Sequence, residues 1–272
     1  MRLHLCNCFN ATFAAADSPS GASAPQSGGP VERSVFEDLA IGSRICAAEN
    51  VFDAFGHLSV RHPTAPDRFF MTKSMAPALA TADDIVELDL ESNPCAGETR
   101  PLFLERFIHS EIYKARPDVQ SIVHSHSPSV VPFGVVGNPM RAIFHTAAFI
   151  AAGVPTFDIS QEFGETDMLV GNRDKARALT RCLGDKSVCL MRAHGSVVVA
   201  PSLQLAVARA VYTEVNAKLQ LQATMLGGPI AALSESEGRI ADAVNIAGVG
   251  RPWELWKRQA LRRMREEAEL DD

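Results

Sequence analysis

The stretch Ser121-Ile122-Val123-His124-Ser125-His126-Ser127 sets two imidazoles two positions apart in a run of β-branched and hydroxyl residues. Val119–His126 is predicted to be a strand, in which alternate residues point to the same face. Both rings would then project together, and two ring nitrogens could reach one ion at about 2.0–2.1 Å. The plainer alternative is a solvated strand end with a cluster of hydroxyls. A third histidine, His194, stands in Leu190-Met191-Arg192-Ala193-His194-Gly195, directly after the candidate strand Ser187–Arg192. Strand ends that run into turns are where ligands and catalytic groups project, although a loop or capping histidine would look the same. Glu105 is the only acid between Pro101 and Ile108. Held in such apolar surroundings it could carry a raised pKa and shuttle protons, or it could be a helix-start glutamate stabilised by the dipole.

Outward from these residues, helix and strand signals mix, and no internal repeat interrupts them. Val31–Glu49 is predicted to be helical, and Leu58–Arg61, Arg68–Thr72 and Ile85–Leu88 are short strand candidates between turn residues. Phe103–Ala115 carries Phe103, Leu104, Phe107, Ile108, Ile112 and Tyr113 at helical spacing and ends before Pro117. Val197–Ala200 is a further apolar strand. Leu203–Met225 is predicted to be a long helix stopped by Gly227-Gly228-Pro229, and Ser234–Asp272 one or two surface helices containing both tryptophans. The expected class is α/β, one domain over 31–272 with a C-terminal helical extension. Residues 1–30 are rich in Ala, Gly, Ser and Pro and should form a disordered leader, since such a segment cannot bury enough apolar surface to offset its ordering entropy. A signal peptide is the competing reading there, but Asn7, Asn10 and Thr12 break the apolar stretch early.

The chain has 272 residues, 46% hydrophobic and 21% charged, with 26 Lys plus Arg against 32 Asp plus Glu. A net charge of −6 argues against a basic coat for nucleic acid, and no 18-residue apolar run suggests a membrane span. Four basic residues, Arg258, Arg262, Arg263 and Arg265, lie beside Glu266, Glu267 and Glu269 and are expected to form a solvated helix face. The six cysteines, at 6, 8, 46, 95, 182 and 189, form no CxxC pair and suggest reduced thiols in a cytoplasmic protein. Cys6-Asn7-Cys8 alone makes a weak soft-metal site. No dinucleotide fingerprint, P-loop or nucleophile elbow is present. Among eight histidines the chemistry therefore concentrates on a few.

Taken together, Gly56-His-Leu-Ser-Val-Arg61, Glu105-Arg-Phe-Ile-His109, Ala115-Arg-Pro-Asp118, Val123-His-Ser-His126 and Ala193-His194-Gly195 resemble the class II aldolase/adducin family from about Glu32 to Gly228. The resemblance implies an α/β/α sandwich around a mostly antiparallel sheet, commonly a homotetramer with sites between subunits. It implies a divalent metal, zinc foremost with manganese, cobalt or iron as alternatives, on His124, His126 and His194. It assigns proton transfer to Glu105.

The departures redirect the expected substrate. Sugar-phosphate aldolases of the family bind phosphate through an Asn in GN(V/I)S, a TPTG turn and a Ser-Ser pair. Here His57 replaces that Asn, Met71-Thr-Lys-Ser-Met75 stands at the turn, and Phe103-Leu104 replaces the serines. Apolar bulk in place of hydroxyl donors would solvate a phosphate dianion poorly. The tyrosine proton donor of the bacterial aldolases is also missing, with Phe144-His145-Thr146 in its neighbourhood. His57, Lys73, Ser74 and His145 are the candidate substrate-binding groups, suited to a carboxylated or aromatic small molecule. The expected activity is a metal-dependent lyase, decarboxylating a hydroxy-aromatic or keto acid or cleaving a non-phosphorylated aldol. The alternatives are a non-haem Fe(II) oxygenase of the same fold and an adducin-like interaction module without catalysis.

Overall fold

A computed structural model describes residues 24–271. The elements are helices α1 (Arg33–Ala48), α2 (Arg106–Ala115), α3 (Ile159–Phe163), α4 (Arg173–Leu183), α5 (Leu203–Leu226), α6 (Glu235–Gly248) and α7 (Gly250–Asp271). The strands are β1 (His57–Arg61), β2 (Arg68–Thr72), β3 (Ile85–Asp89), β4 (Ser121–Ser125), β5 (Thr156–Phe157), β6 (Val188–Met191) and β7 (Gly195–Ala200). They form one sheet in the order β3-β2-β1-β4-β7-β6-β5. Every neighbouring pair is antiparallel except β5 with β6. The mostly antiparallel α/β/α sandwich is therefore the architecture.

Strand alternation divides the core into two halves, because successive side chains leave opposite faces of the sheet. Leu58, Val123, Val198 and Ala206 belong to a cluster with Leu39 and Ile45 of α1 and with much of α5. Ile122, Val197 and Val199 belong to a second cluster with Ile108 and Ile112 of α2 and Leu179 of α4. Capping residues start the helices where polar side chains satisfy free amides. Asn172 accepts from Lys175 N at 3.0 Å ahead of α4, and Ser202 accepts from Leu205 N at 3.2 Å ahead of α5. Ser234 and Glu237 form a capping box on α6.

Three expectations need correction. The expected leader falls partly outside the described residues, as do Cys6 and Cys8, but residues 24–30 lie along the sheet edge. Gly28 N donates to Glu87 Oε1 at 2.6 Å, Ala96 N to Pro25 O at 2.9 Å, and Arg68 Nε to Gln26 O at 3.0 Å. These bonds to its backbone, two of them made by the side chains of Glu87 and Arg68, hold this stretch, and composition does not report them. The helix expected from Phe103 begins at Arg106, because Glu105 has φ −89° and ψ 15°, outside helical values. The tryptophans are not surface groups: Trp253 and Trp256 turn inward from α7 and join the core cluster with α1. Among the described residues, Cys46, Cys95, Cys182 and Cys189 are free thiols.

Candidate metal centre

His124 lies in β4 and His126 just beyond its end, so both rings leave the same side; their centroids are 5.2 Å apart. The neighbouring strand β7 opens with Gly195, and this glycine is why His194 arrives beside them. A Cβ on residue 195 would lie 1.9 Å from Ser125 O, closer than real Cβ atoms approach anything. Only a bare Cα lets the start of β7 close against the end of β4, where Ser196 pairs with Ser125. The turn before it places Ala193 at φ +54° and sends His194 back over β4, 5.0 Å from the rings of both His124 and His126.

Glu105 enters from the start of α2. Its Oε1 accepts from Val170 N at 2.8 Å, which leaves Oε2 pointing at the histidines, 3.4 Å from Nε2 of His124 and from Nε2 of His194. One ligand atom from each of Glu105, His124, His126 and His194 lies within 4.8 Å of the other three.

The hydrogen bonds around this cluster fit a cation. His124 Nδ1 faces Ser196 O at 3.2 Å and His194 Nδ1 faces Met168 O at 3.0 Å. A carbonyl can only accept, so both rings carry a proton on Nδ1 and present Nε2 inward, the usual support for a metal-binding imidazole. His126 Nδ1 faces Asp53 Oδ1 at 3.7 Å. The inward Nε2 atoms of His124 and His126 are buried without a hydrogen-bond partner among the described residues. Orphaned buried acceptors are costly, and these two, with His194 Nε2 and a carboxylate around the same point, fit a divalent ion.

Electrostatics separate the roles. Burial pushes the Glu105 carboxyl up, but His124 and His194 outweigh it and hold the group well below the usual carboxylate range. It is ionised at rest. Burial, reinforced by His124 and His194, lowers His126 to about 4, so that ring is neutral at pH 7. His194 goes the other way: burial opposes its proton, but hydrogen bonding to Glu105 raises it above the ordinary histidine value.

The candidate substrate groups divide. His57 is brought to the cluster, because it stands directly opposite His124 in the β1–β4 ladder, with ring centroids 4.9 Å apart. Phe103 also packs on it, with ring centroids 4.7 Å apart, while Leu104 is half exposed. Lys73 commits its ammonium to Asp84 at 2.8 Å, and Ser74 N donates to Pro101 O at 2.7 Å, tying this turn to the segment that leads into Glu105. His145 is placed elsewhere, in a cavity of about 330 Å³ lined by Tyr212, Asp242 and Asn245. Within one chain that cavity is separate from the histidines, because the helical turn beginning at His145 packs on α5 and α6.

Sequence reasoning overlooked His109 as a site residue. It bonds His57, with His57 Nδ1 and His109 Nε2 2.7 Å apart, and reaches Ser59 Oγ at 2.6 Å through Nδ1. Burial, with His124 adding to it, lowers His109 to about 3. The signal was available as His57-x-Ser59 on a strand and His109-x-x-x-Tyr113 on a helix, each placing its two side chains on one face.

Residues 37–221 match the family described as the class II aldolase and adducin N-terminal domain. The chain belongs to that family. It is 37% identical over 241 residues to the decarboxylase tropJ of Talaromyces stipitatus, an overlap covering 80% of this chain and 91% of that protein. It is 29% identical over 243 residues to the 3,4-dihydroxyphthalate decarboxylase of Arthrobacter keyseri, covering 83% and 92%. The fold matches L-fuculose 1-phosphate aldolase from Glaciozyma antarctica with a TM-score of 0.71 at 24% identity, over 88% of this chain and 96% of that one. No described helix is long and apolar enough to cross a membrane.

Proposed function

We propose that this protein is a divalent-metal-dependent carbon–carbon lyase that decarboxylates a hydroxylated aromatic acid. The observation that carries the reading is the inward-facing set of His124, His126 and His194 with Glu105 Oε2 3.4 Å from two of them. Phe103 in the place of a phosphate-binding hydroxyl, packed on His57, supports an aromatic substrate over a sugar phosphate. The two decarboxylase relatives support the same choice. Imidazole donors suit zinc first, with iron, manganese and cobalt as alternatives.

A divalent ion on the three histidines would supply Lewis acidity toward the phenolic oxygen of the substrate. The protein's own contribution is proton transfer. Glu105 is ionised at rest and can take the phenolic proton on Oε2, while Val170 N holds its other oxygen in place. It then returns that proton to the ring carbon bearing the carboxylate. The bond between that carbon and the carboxylate breaks, its electron pair restores the aromatic ring, and CO₂ leaves. The phenolate left behind takes its last proton from solvent. Phe103, packed on His57, would give the carboxylate apolar surroundings in which losing its charge is favoured.

Anaerobic incubation of the zinc-loaded protein with a panel of hydroxybenzoates and keto acids, reading CO₂ and aldehyde, tests this. CO₂ release without oxygen is expected. An absolute requirement for O₂ would replace the lyase by an oxygenase, and aldehyde without CO₂ would replace decarboxylation by aldol cleavage. The reading extends to a cytoplasmic homotetramer, for which light scattering of the purified protein supplies the assembly size.

A further inference from the structure

His57 is not a free imidazole beside the site. It is the end of a buried hydrogen-bonded chain: His57 Nδ1 to His109 Nε2 at 2.7 Å, His109 Nδ1 to Ser59 Oγ at 2.6 Å, and Ser59 Oγ to Tyr113 Oη at 2.7 Å. All four side chains are buried. Strand β1 supplies two of them from one face and helix α2 supplies the other two from successive turns, so the chain bridges sheet and helix.

Such a chain has two possible polarities, and the structure favours one. Apart from Ser59 Oγ, the Tyr113 hydroxyl has only Gln120 O among the described residues, at 3.5 Å, and that carbonyl already accepts from Arg61 N at 2.8 Å. The guanidinium of Arg61 lies 4.5 Å over the Tyr113 ring and draws charge from it, which makes the hydroxyl the better donor. Tyr113 therefore donates to Ser59. Ser59 has a single proton and passes it toward His109 Nδ1. A neutral His109 then keeps its proton on Nε2 and donates it to His57 Nδ1. A neutral His57 in turn carries its proton on Nε2, the ring nitrogen that His109 does not occupy. The opposite polarity would spend the tyrosine proton on a long contact to an occupied carbonyl.

We propose that Tyr113, Ser59 and His109 are positioning residues that fix the tautomer of His57, so that its Nε2–H is offered to an anionic oxygen of the substrate at the histidine cluster. The nature of that anion rests on the function proposed above; the tautomer does not. A ring that carries hydrogen on Nε2 cannot ligate through it, which agrees with His57 standing outside the metal-binding set although its ring touches His124. The assignment gives His57 a binding role as a neutral donor rather than as a cation.

The test has two arms. In ¹⁵N–¹H correlation spectra of the zinc-loaded, ¹⁵N-histidine-labelled protein, His57 and His109 should both show a proton on Nε2 and a bare Nδ1. A His57 protonated on Nδ1 overturns the proposal. In the second arm, Ser59→Ala should weaken binding of 2,3-dihydroxybenzoate by about 10- to 100-fold, the range for losing a hydrogen bond to a charged group, with metal content unchanged. Ser59→Thr, which restores the hydroxyl, should recover most of it. Unchanged affinity in Ser59→Ala also overturns the proposal. Tyr113→Phe, which keeps the packed ring and removes only the terminal donor, replaces Ser59→Ala if that variant does not fold. Should the wild-type protein bind no hydroxybenzoate at all, the substrate reading fails, and the tautomers still decide the role of the chain.

Discussion

Gly195→Ala isolates the link between backbone packing and metal chemistry. A methyl at this position would meet Ser125 O at 1.9 Å, so strands β4 and β7 must separate locally by about 1 Å or more to accept it. Overpacking of this kind costs about 1–3 kcal/mol, which a domain of this size survives. The site should not. His194 follows the start of β7, whereas His124 and His126 follow the end of β4, so the separation falls directly on the distances between ligands. Zinc–nitrogen bonds of about 2.0–2.1 Å have little slack, and a displacement half that length removes a donor. The expected result is a folded protein whose melting temperature drops by a few degrees while zinc affinity falls at least 100-fold, a range that loss of even supporting groups approaches. Chelator competition gives the affinity and circular dichroism the fold. A Gly195→Ala variant with one tightly held zinc per chain would refute the argument that this glycine places His194.

Four further outcomes follow from the same geometry. His124→Ala should lose both stoichiometric metal and turnover, and retention of both by metal analysis and CO₂ release would remove the site altogether. Glu105→Gln should keep its metal, because three histidines remain, yet lose about 10²- to 10⁴-fold in turnover; loss of metal instead would make Glu105 a ligand rather than a proton carrier. Burial opposes the proton on His194 but Glu105 raises it above the ordinary value, so an incoming ion must displace that proton. The protonated pair stabilises the metal-free fold below the unfolded histidine pKa and fades as pH rises through the raised one. Zinc affinity should therefore strengthen between about pH 6 and 8, and a flat profile in chelator competition would contradict this. Trp256→Ala should destabilise the protein by about 3–5 kcal/mol in urea unfolding, since it empties the core contact between α7 and α1.

The elements that alternate or recur regularly are legible in the sequence. Strands β1 to β4 and helix α5 lie within a few residues of their expected bounds, because apolar periodicity reflects burial directly. The histidines at 124 and 126 were legible because strand geometry alone puts them on one face. What escaped depends on contacts between distant segments. The bond from His109 to His57 forms only once α2 lies on β1, and no local pattern ranks it above a packed core histidine. The ion pair of Lys73, a candidate substrate group, with Asp84 is likewise made only once β2 and β3 lie side by side. The stretch 24–30 resembles a linker in composition, yet its backbone is held by Glu87, Ala96 and Arg68.

The pairing of β4 with β7, from Ser121 opposite Ala200 to Ser125 opposite Ser196, sets an order of events in the life of the protein. It joins stretches far apart along the chain, and contacts of that kind are completed only when most of the chain has condensed. The ladder is held by backbone hydrogen bonds and by buried Val123, Val198 and Val199, none of which needs an ion. A zinc finger folds around its metal; on the metal-dependent reading proposed above, this chain builds the seat first and would receive the metal last. Newly made protein would accumulate as a folded, inactive reserve, and its working fraction would follow the cell's supply of the ion rather than the rate of synthesis.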